Sequence, residues 1–165
     1  MKHRIGLFFF FVGLAFRELF HAKPAGSGCQ FANVGEGSHE SGIKSFKPDA
    51  TGTARYLCYK IGATADTIAV CGAGEVPLGS SDDVADDTAI PIAVNLFGVR
   101  PGTVRITAGG TVANGDHVKS DASGKAVTAS STDVSFGIAL VGTDQTAASG
   151  DVIEVIHCVP HKYVF

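Results

Sequence analysis

Four aspartates within one short stretch, Asp82, Asp83, Asp86 and Asp87, form the densest set of potential ligands in the chain. On a single helical turn, positions i and i+4 share a side, and their oxygens could gather a hard cation such as Ca²⁺. The spacing fits no EF-hand loop and no bidentate Glu follows at the right distance, so a solvated acidic loop is the simpler reading. His157, Cys158 and His161 are the residue types that bind zinc. On a strand, however, His157 and Cys158 point to opposite faces, and Pro160 interrupts the path to His161. They read as ordinary strand and tail residues.

The four cysteines, Cys29, Cys58, Cys71 and Cys158, lie far apart and form no CxxC pair. A zinc ribbon or a thioredoxin-like site is therefore unsupported, and buried free thiols in strands are expected. One disulfide among Cys58, Cys71 and Cys158 would require an oxidising environment. The fragment Gly37-Ser38-His39-Glu40-Ser41-Gly42 is not the Gly-x-Ser-x-Gly of a nucleophile elbow. Asp121-Ala122-Ser123-Gly124 looks like the start of a calcium loop, but a β-turn explains it without an ion. The expectation is no catalytic residue, no metal and no cofactor: a protein that is not an enzyme.

The elements that carry these residues are strands. Residues 107–129, TAGGTVANGDHVKSDASGKAVTA, place short apolar pairs (Thr111–Val112, His117–Val118, Ala126–Val127) between Gly109-Gly110, Asn114-Gly115-Asp116 and Ser123-Gly124. Asn-Gly and Ser-Gly between β-prone residues are hairpin signals, because Gly and Asn accept the positive φ of tight turns. Residues 54–61 alternate, with Leu57, Tyr59 and Ile61 on one face and Tyr56, Cys58 and Lys60 on the other. Further strands are predicted at 67–71, 90–97 (with Pro91 at a strand start or sheet edge), 104–106, 136–141 and 151–159. A turn around residues 81–88 is the one helical candidate. Short strands at spacings of about ten residues predict an all-β fold, a small barrel or sandwich of antiparallel strands.

Composition agrees. Charged residues are 18% of the 165, while glycine reaches 21, which suits a turn-rich β-protein better than a helical one. Residues 1–33 hold Lys2, Arg4, Arg17 and Lys23 against Glu18, a net +3, so the overall −3 leaves −6 for the rest. An acidic body without a Lys/Arg cluster argues against nucleic acid as a partner. Residues 1–16 have a basic start and an apolar run that is too short for a comfortable membrane span. Two readings stand side by side: a secretory signal, or an extension translated upstream of a start near Val34. Residues 34–53 have isolated apolar positions and no period, and read as an extended N-terminal arm that orders against a partner. Residues 54–165 are then the barrel-like domain.

The order of these pieces carries a resemblance. The arm VGEGSHESGIKSFKPDA, the strand ARYLCYKIG, the stretch ADTIAVCGAGEVPLG, then IPIAVNLFG, the glycine-punctuated segment at 107–129, FGIAL and GDVIEV follow one another over residues 34–165. Gly110 to Val118 matches G-x-V-x-x-G-D-x-V, and Gly150 to Val155 matches G-D-x-I-E-V. In this the chain resembles bacteriophage capsid cement (head decoration) proteins of the DUF2190 type. Each motif alone is turn chemistry; their order is the specific part. Residues 1–33 lie outside the resemblance.

The resemblance implies a non-enzymatic virion protein on the outer surface of an icosahedral head. It would bind the major capsid protein and reinforce the shell against internal DNA pressure. It would do so as a homo-oligomer, with a trimer among the possible orders, and without nucleic acid or membrane contacts of its β-domain. Symmetry would multiply one weak contact, and the arm could lie along a neighbour's sheet edge. Within the arm, Ile43, Phe46 and Lys47 are the expected capsid contacts, with Phe46 as the one large anchor; the plainer account folds Phe46 back on its own domain. The rival reading is a secreted β-rich surface or adhesion module, exported by residues 1–28 and cleaved near residues 25–28.

Overall fold

The strand Ile43–Pro48 (β1) opens a closed five-stranded barrel with Leu57–Ile61 (β2), Thr67–Val70 (β3), Gly79–Ser81 (β4) and Ile92–Leu96 (β5), in the spatial order β1-β3-β2-β4-β5. The fold is taken from a computed structural model, which describes residues 41–142 and 145–164. All pairs in the barrel are antiparallel except β1 with β3, which runs parallel. A second, five-stranded sheet has the order β6-β12-β10-β8-β9, formed by Val104–Thr107 (β6), His117–Ser120 (β8), Ala126–Thr128 (β9), Val134–Leu140 (β10) and Val152–Lys162 (β12). Val112–Ala113 (β7) and Thr146–Ala147 (β11) make a two-stranded ribbon beside it. The predicted all-β fold with a small barrel is what forms.

The second sheet curls nearly shut. Its outer strands β6 and β9 meet through a parallel bridge between Ala108 and Ala126, and the Gly109 N–H donates to the Ala126 carbonyl at 2.8 Å. Two cores result. Phe46, Leu57, Tyr59, Ile68, Ala85, Ile92 and Val94 fill the barrel. Phe97, Val104, Ile106, Val118, Phe136, Ile153 and Val155 are among those that fill the second core, together with Cys58 and Cys71. Strand β2 serves both, because its alternation sends Leu57 and Tyr59 one way and Cys58 the other. Ile61, expected on the face of Leu57 and Tyr59, lies at the strand end and is exposed.

Three expectations need correction. Residues 41–53 are not a free arm: β1 is a barrel stave, paired with β5 from Ile43 to Phe46 and with β3 at Lys47 and Pro48, and Thr53 bridges Ala85. A stave needs only one apolar face, so Phe46 and Pro48 inward suffice. Residues 81–88 form no helix. The Asp83 N–H donates to Ser81 Oγ, and Asp83 Oδ2 accepts the Ala93 N–H, which ties the segment to β5. The Asn114-Gly115 turn does not fold β7 onto β8, since β7 pairs with β11 instead. The Ser123-Gly124 signal does make a hairpin, with β8 and β9 paired from Val118–Thr128 to Ser120–Ala126. The extension over residues 1–33 and residues 34–40 of the arm lie outside the described residues.

Candidate functional site

The residues suited to chemistry do not converge. Asp82 Oδ2 lies 3.9 Å from Arg105, Asp83 caps the Ala93 amide, and Asp87 Oδ1 accepts from the Ala89 N–H at 2.8 Å. These three carboxylates are turned to separate partners, and Asp86 is exposed. Among the described residues no group of three or more His, Cys, Asp or Glu side chains is placed to hold a metal ion. Asp121 Oδ1 accepts the N–H groups of Ser123 and Lys125 at 2.7 and 2.9 Å, the Asx arrangement of a turn.

At the C-terminal end of β12, Gly137 faces His157 but Ser135 faces His161, so residues 158–160 bulge out of the ladder. The bulge brings together what the sequence reading held apart: Cys158 Sγ sits 3.6 Å from His161 Nδ1. That nitrogen is also 3.1 Å from the Val159 carbonyl, which only accepts, so Nδ1 carries the proton and cannot take one from the thiol. Burial pushes the Cys158 thiol up. The pair is no activated nucleophile. Cys58 and Cys71 are free and fully buried. Burial, above all, raises both thiols; each also bears on the second core, where the Cys71 N–H donates to the Cys58 carbonyl at 2.9 Å. Cys29 lies outside the described residues, as does most of the fragment 37–42.

Of the expected contact residues, Phe46 is 7% exposed and turned into the barrel, with the Lys44 ammonium 5.0 Å from its ring centroid. Ile43 is half-buried and Lys47 is exposed. Phe46 therefore has almost no surface left for a partner, and the plainer account of it is the one the structure supports.

The surface that stands out is the outer face of the second sheet. Register sets Ile138 on β10 opposite Ile156 on β12 and opposite His117 on β8, and Leu140 opposite Glu154. Glu154 in turn faces Arg105 on β6, and Val152 faces Thr107. Ile138, Leu140, Val152 and Ile156 are 36, 38, 49 and 50% exposed. They form an apolar strip across two neighbouring strands, with the stacked rings of His117 and Tyr163 (centroids 3.8 Å apart) at one end. The Arg105 guanidinium lies 5.2 Å from the Tyr56 ring centroid at its border. Exposed apolar side chains gathered on neighbouring strands, here with Glu154 among them, are a mark of an interaction site.

Sequence reasoning missed this strip, although a signal was there. Val152, Glu154 and Ile156 alternate with Ile153 and Val155, and Ile138 and Leu140 flank Ala139. Such strands are apolar on both faces, more than a sheet with one solvated face requires.

No known family's sequence profile matches this chain. No curated protein matches it either. Among solved structures it is similar to the head fiber gp8.5 N base of bacteriophage phi29, at 21% identity and a TM-score of 0.49, over 73% of this chain and 98% of that one.

Proposed function

We propose that the chain is a structural protein of a bacteriophage virion that binds the outer surface of the head and stabilises it against internal DNA pressure. The observation that carries the reading is the apolar strip of Ile138, Leu140, Val152 and Ile156 on a chain whose residues 34–165 are net acidic. Arg105 and Glu154 beside it are cross-strand neighbours of opposite charge, and Arg105 also lies 3.9 Å from Asp82, so the charges at the strip's border are partnered among themselves. Burial of such a surface is favourable at roughly 25 cal/mol per Å², and a shell lattice repeats the gain at every copy. The acidic body disfavours contact with packaged DNA, which supports an outer position. The resemblance carried by the order of turn motifs over residues 34–165 supports a major capsid protein as the partner and self-association around a symmetry axis of the head.

This reading moves the capsid contact from Ile43, Phe46 and Lys47 on barrel strand β1 to the face of the second sheet. The test is co-production with a phage major capsid protein, followed by sedimentation of the heads. The chain should travel with the heads, and heads carrying it should release DNA at a higher temperature than heads without it. Ile156→Glu should cut occupancy at least tenfold while the β-sheet circular dichroism is unchanged. A chain that stays in the supernatant, or is found cleaved in the medium of cells without phage head genes, would sink the proposal and favour the secreted module.

A further inference from the structure

Between β5 and β6 the chain leaves the barrel and enters the second sheet, and one histidine holds that passage. The Gly98 N–H donates to His157 Nδ1 at 2.9 Å, so Nδ1 is the acceptor nitrogen and the proton of the neutral ring is on Nε2. Nε2 is buried without a hydrogen-bond partner among the described residues. The ring packs at 5.8 Å from that of Phe97, and the Gly98 backbone lies against Val159 in the bulge of β12.

The passage also supports the first barrel strand. The Arg100 N–H donates to the Leu96 carbonyl at 3.1 Å, and the Leu96 N–H donates to the Gly42 carbonyl at 2.8 Å. Gly42, at φ 67, lies so close to the Arg100 backbone that any side chain there would collide with it. A line of contacts thus runs from His157 through Gly98 and Arg100 to the start of β1.

We propose that His157 is a pH-sensitive latch: neutral, it fastens residues 97–100 to β12; protonated, it releases them together with the start of β1. Protonation converts Nδ1 from acceptor to donor, and two N–H groups then face each other where one bond had been. The charged group bearing on the ring is Arg100, on the fastened segment itself. Gly137, opposite in register on β10, and Phe97 carry no charge. Burial first, and the Arg100 charge second, hold the imidazole below the ordinary histidine value of 6.5; an interaction with the Arg100 backbone opposes them without reversing the direction. Because the fastened state has the lower pKa, the latch is fully present above pH 6.5 and is lost as pH falls through the depressed value. The inference is independent of the head-binding proposal.

The test is amide hydrogen exchange of the full chain by NMR across pH 7.5 to 4.5, about the range in which histidine titrates. Gly98 protection, corrected for intrinsic exchange, should be constant above pH 6.5 and then fall about tenfold per pH unit. The Val155 amide in the core should stay protected throughout, which separates local release from global unfolding. His157→Gln offers a side-chain oxygen that does not titrate, so its Gly98 protection should not change with pH. His157→Phe should lose protection at every pH; if it does not fold, the wild-type and His157→Gln pair decides alone. Flat Gly98 protection in the wild type, or a pH response retained in His157→Gln, would overturn the latch.

Discussion

The rings of Phe97 and Phe136 stack with centroids 4.9 Å apart and planes within 11° of parallel. Phe97 follows the last residue of barrel strand β5, while Phe136 lies in the middle of β10 in the second sheet. The stack therefore joins the end of the barrel to the sheet through a shared core, and both residues are buried. Phe136→Ala should lower unfolding stability by about 3–5 kcal/mol, the usual range for a large aromatic removed from a packed core. Denaturant unfolding at neutral pH checks it. A loss under about 1 kcal/mol would mean that the stack contributes no more than an exposed contact.

Tyr56 holds a left-handed backbone, φ 58, that bulky residues rarely adopt. The reason is visible in its bonds: its N–H donates to the Ser81 carbonyl on β4, and its carbonyl accepts the Thr107 N–H from β6, both at 2.8 Å. Tyr56 is thus bonded to the barrel on one side and to the second sheet on the other. Glycine adopts this φ without strain. Tyr56→Gly should therefore be more stable than Tyr56→Ala by about 1 kcal/mol, the reverse of the order at ordinary strand positions. Thermal unfolding of the two variants decides, and the ordinary order would refute the account.

The fold class was legible because turn chemistry is local. Ser123-Gly124 and Pro91 act on their own neighbours, and the β8–β9 hairpin and the start of β5 fall where those residues put them. Strands without an apolar signature were not legible. In β4, Gly79-Ser80-Ser81, every residue is buried, yet none is hydrophobic. They are small because β2 and β5 press on them, and a side chain at Gly79 would collide with the Asn95 carbonyl. β1 was hidden for a related reason: only the closure of the barrel tells Phe46 which way to face. The bulge that joins Cys158 to His161 depends on the register of β12 against β10, which no local pattern encodes.

Asp121 organises the β8–β9 turn with one carboxylate oxygen that accepts two N–H groups. Asp121→Ala removes both acceptors and should cost about 1–2 kcal/mol. Asp121→Asn keeps a side-chain oxygen in place and should retain most of that stability. Because the turn is closed by the chain's own amides, calcium should not shift the melting temperature of the wild type. A calcium-dependent rise, abolished by Asp121→Ala, would restore the ion-binding reading of this loop.

Thiol labelling separates the described cysteines by burial. Cys58 and Cys71 are fully buried and their thiols are raised by that burial, so the reactive thiolate is scarce and sheltered. In native protein at pH 8, peptide mapping after alkylation should find Cys158 modified and Cys58 and Cys71 unmodified. All three should react once denaturant opens the second core. Native labelling of Cys71 at the rate of Cys158 would contradict the packing of β2 and β3 against the sheet.

Two loop carboxylates set the response to acid. Glu75 bonds the Lys60 ammonium at 2.5 Å and the Gly72 N–H at 2.6 Å; Asp133 bonds the Lys119 ammonium and the Ser130 N–H, each at 2.7 Å. The lysine bond is the largest cause, and the backbone bond the next, that holds each carboxyl below its ordinary value of 4.5 or 3.8. Both groups have the lower pKa when folded, so the unfolded chain takes up their protons first. Their contribution is complete above the ordinary carboxylate values and is lost as pH falls through the depressed ones. Stability measured from pH 6 to pH 2 should therefore fall with acid more steeply in the wild type than in Glu75→Gln/Asp133→Asn, whose amides do not titrate. The effect should be small because solvent reaches both half-buried pairs, and screening weakens such ion pairs. Moderate salt should shrink the difference further, because both carboxylates are held by lysine ammonium groups that solvent reaches. Parallel acid profiles for the two proteins would show that the bonds to Lys60 and Lys119 do not persist in solution.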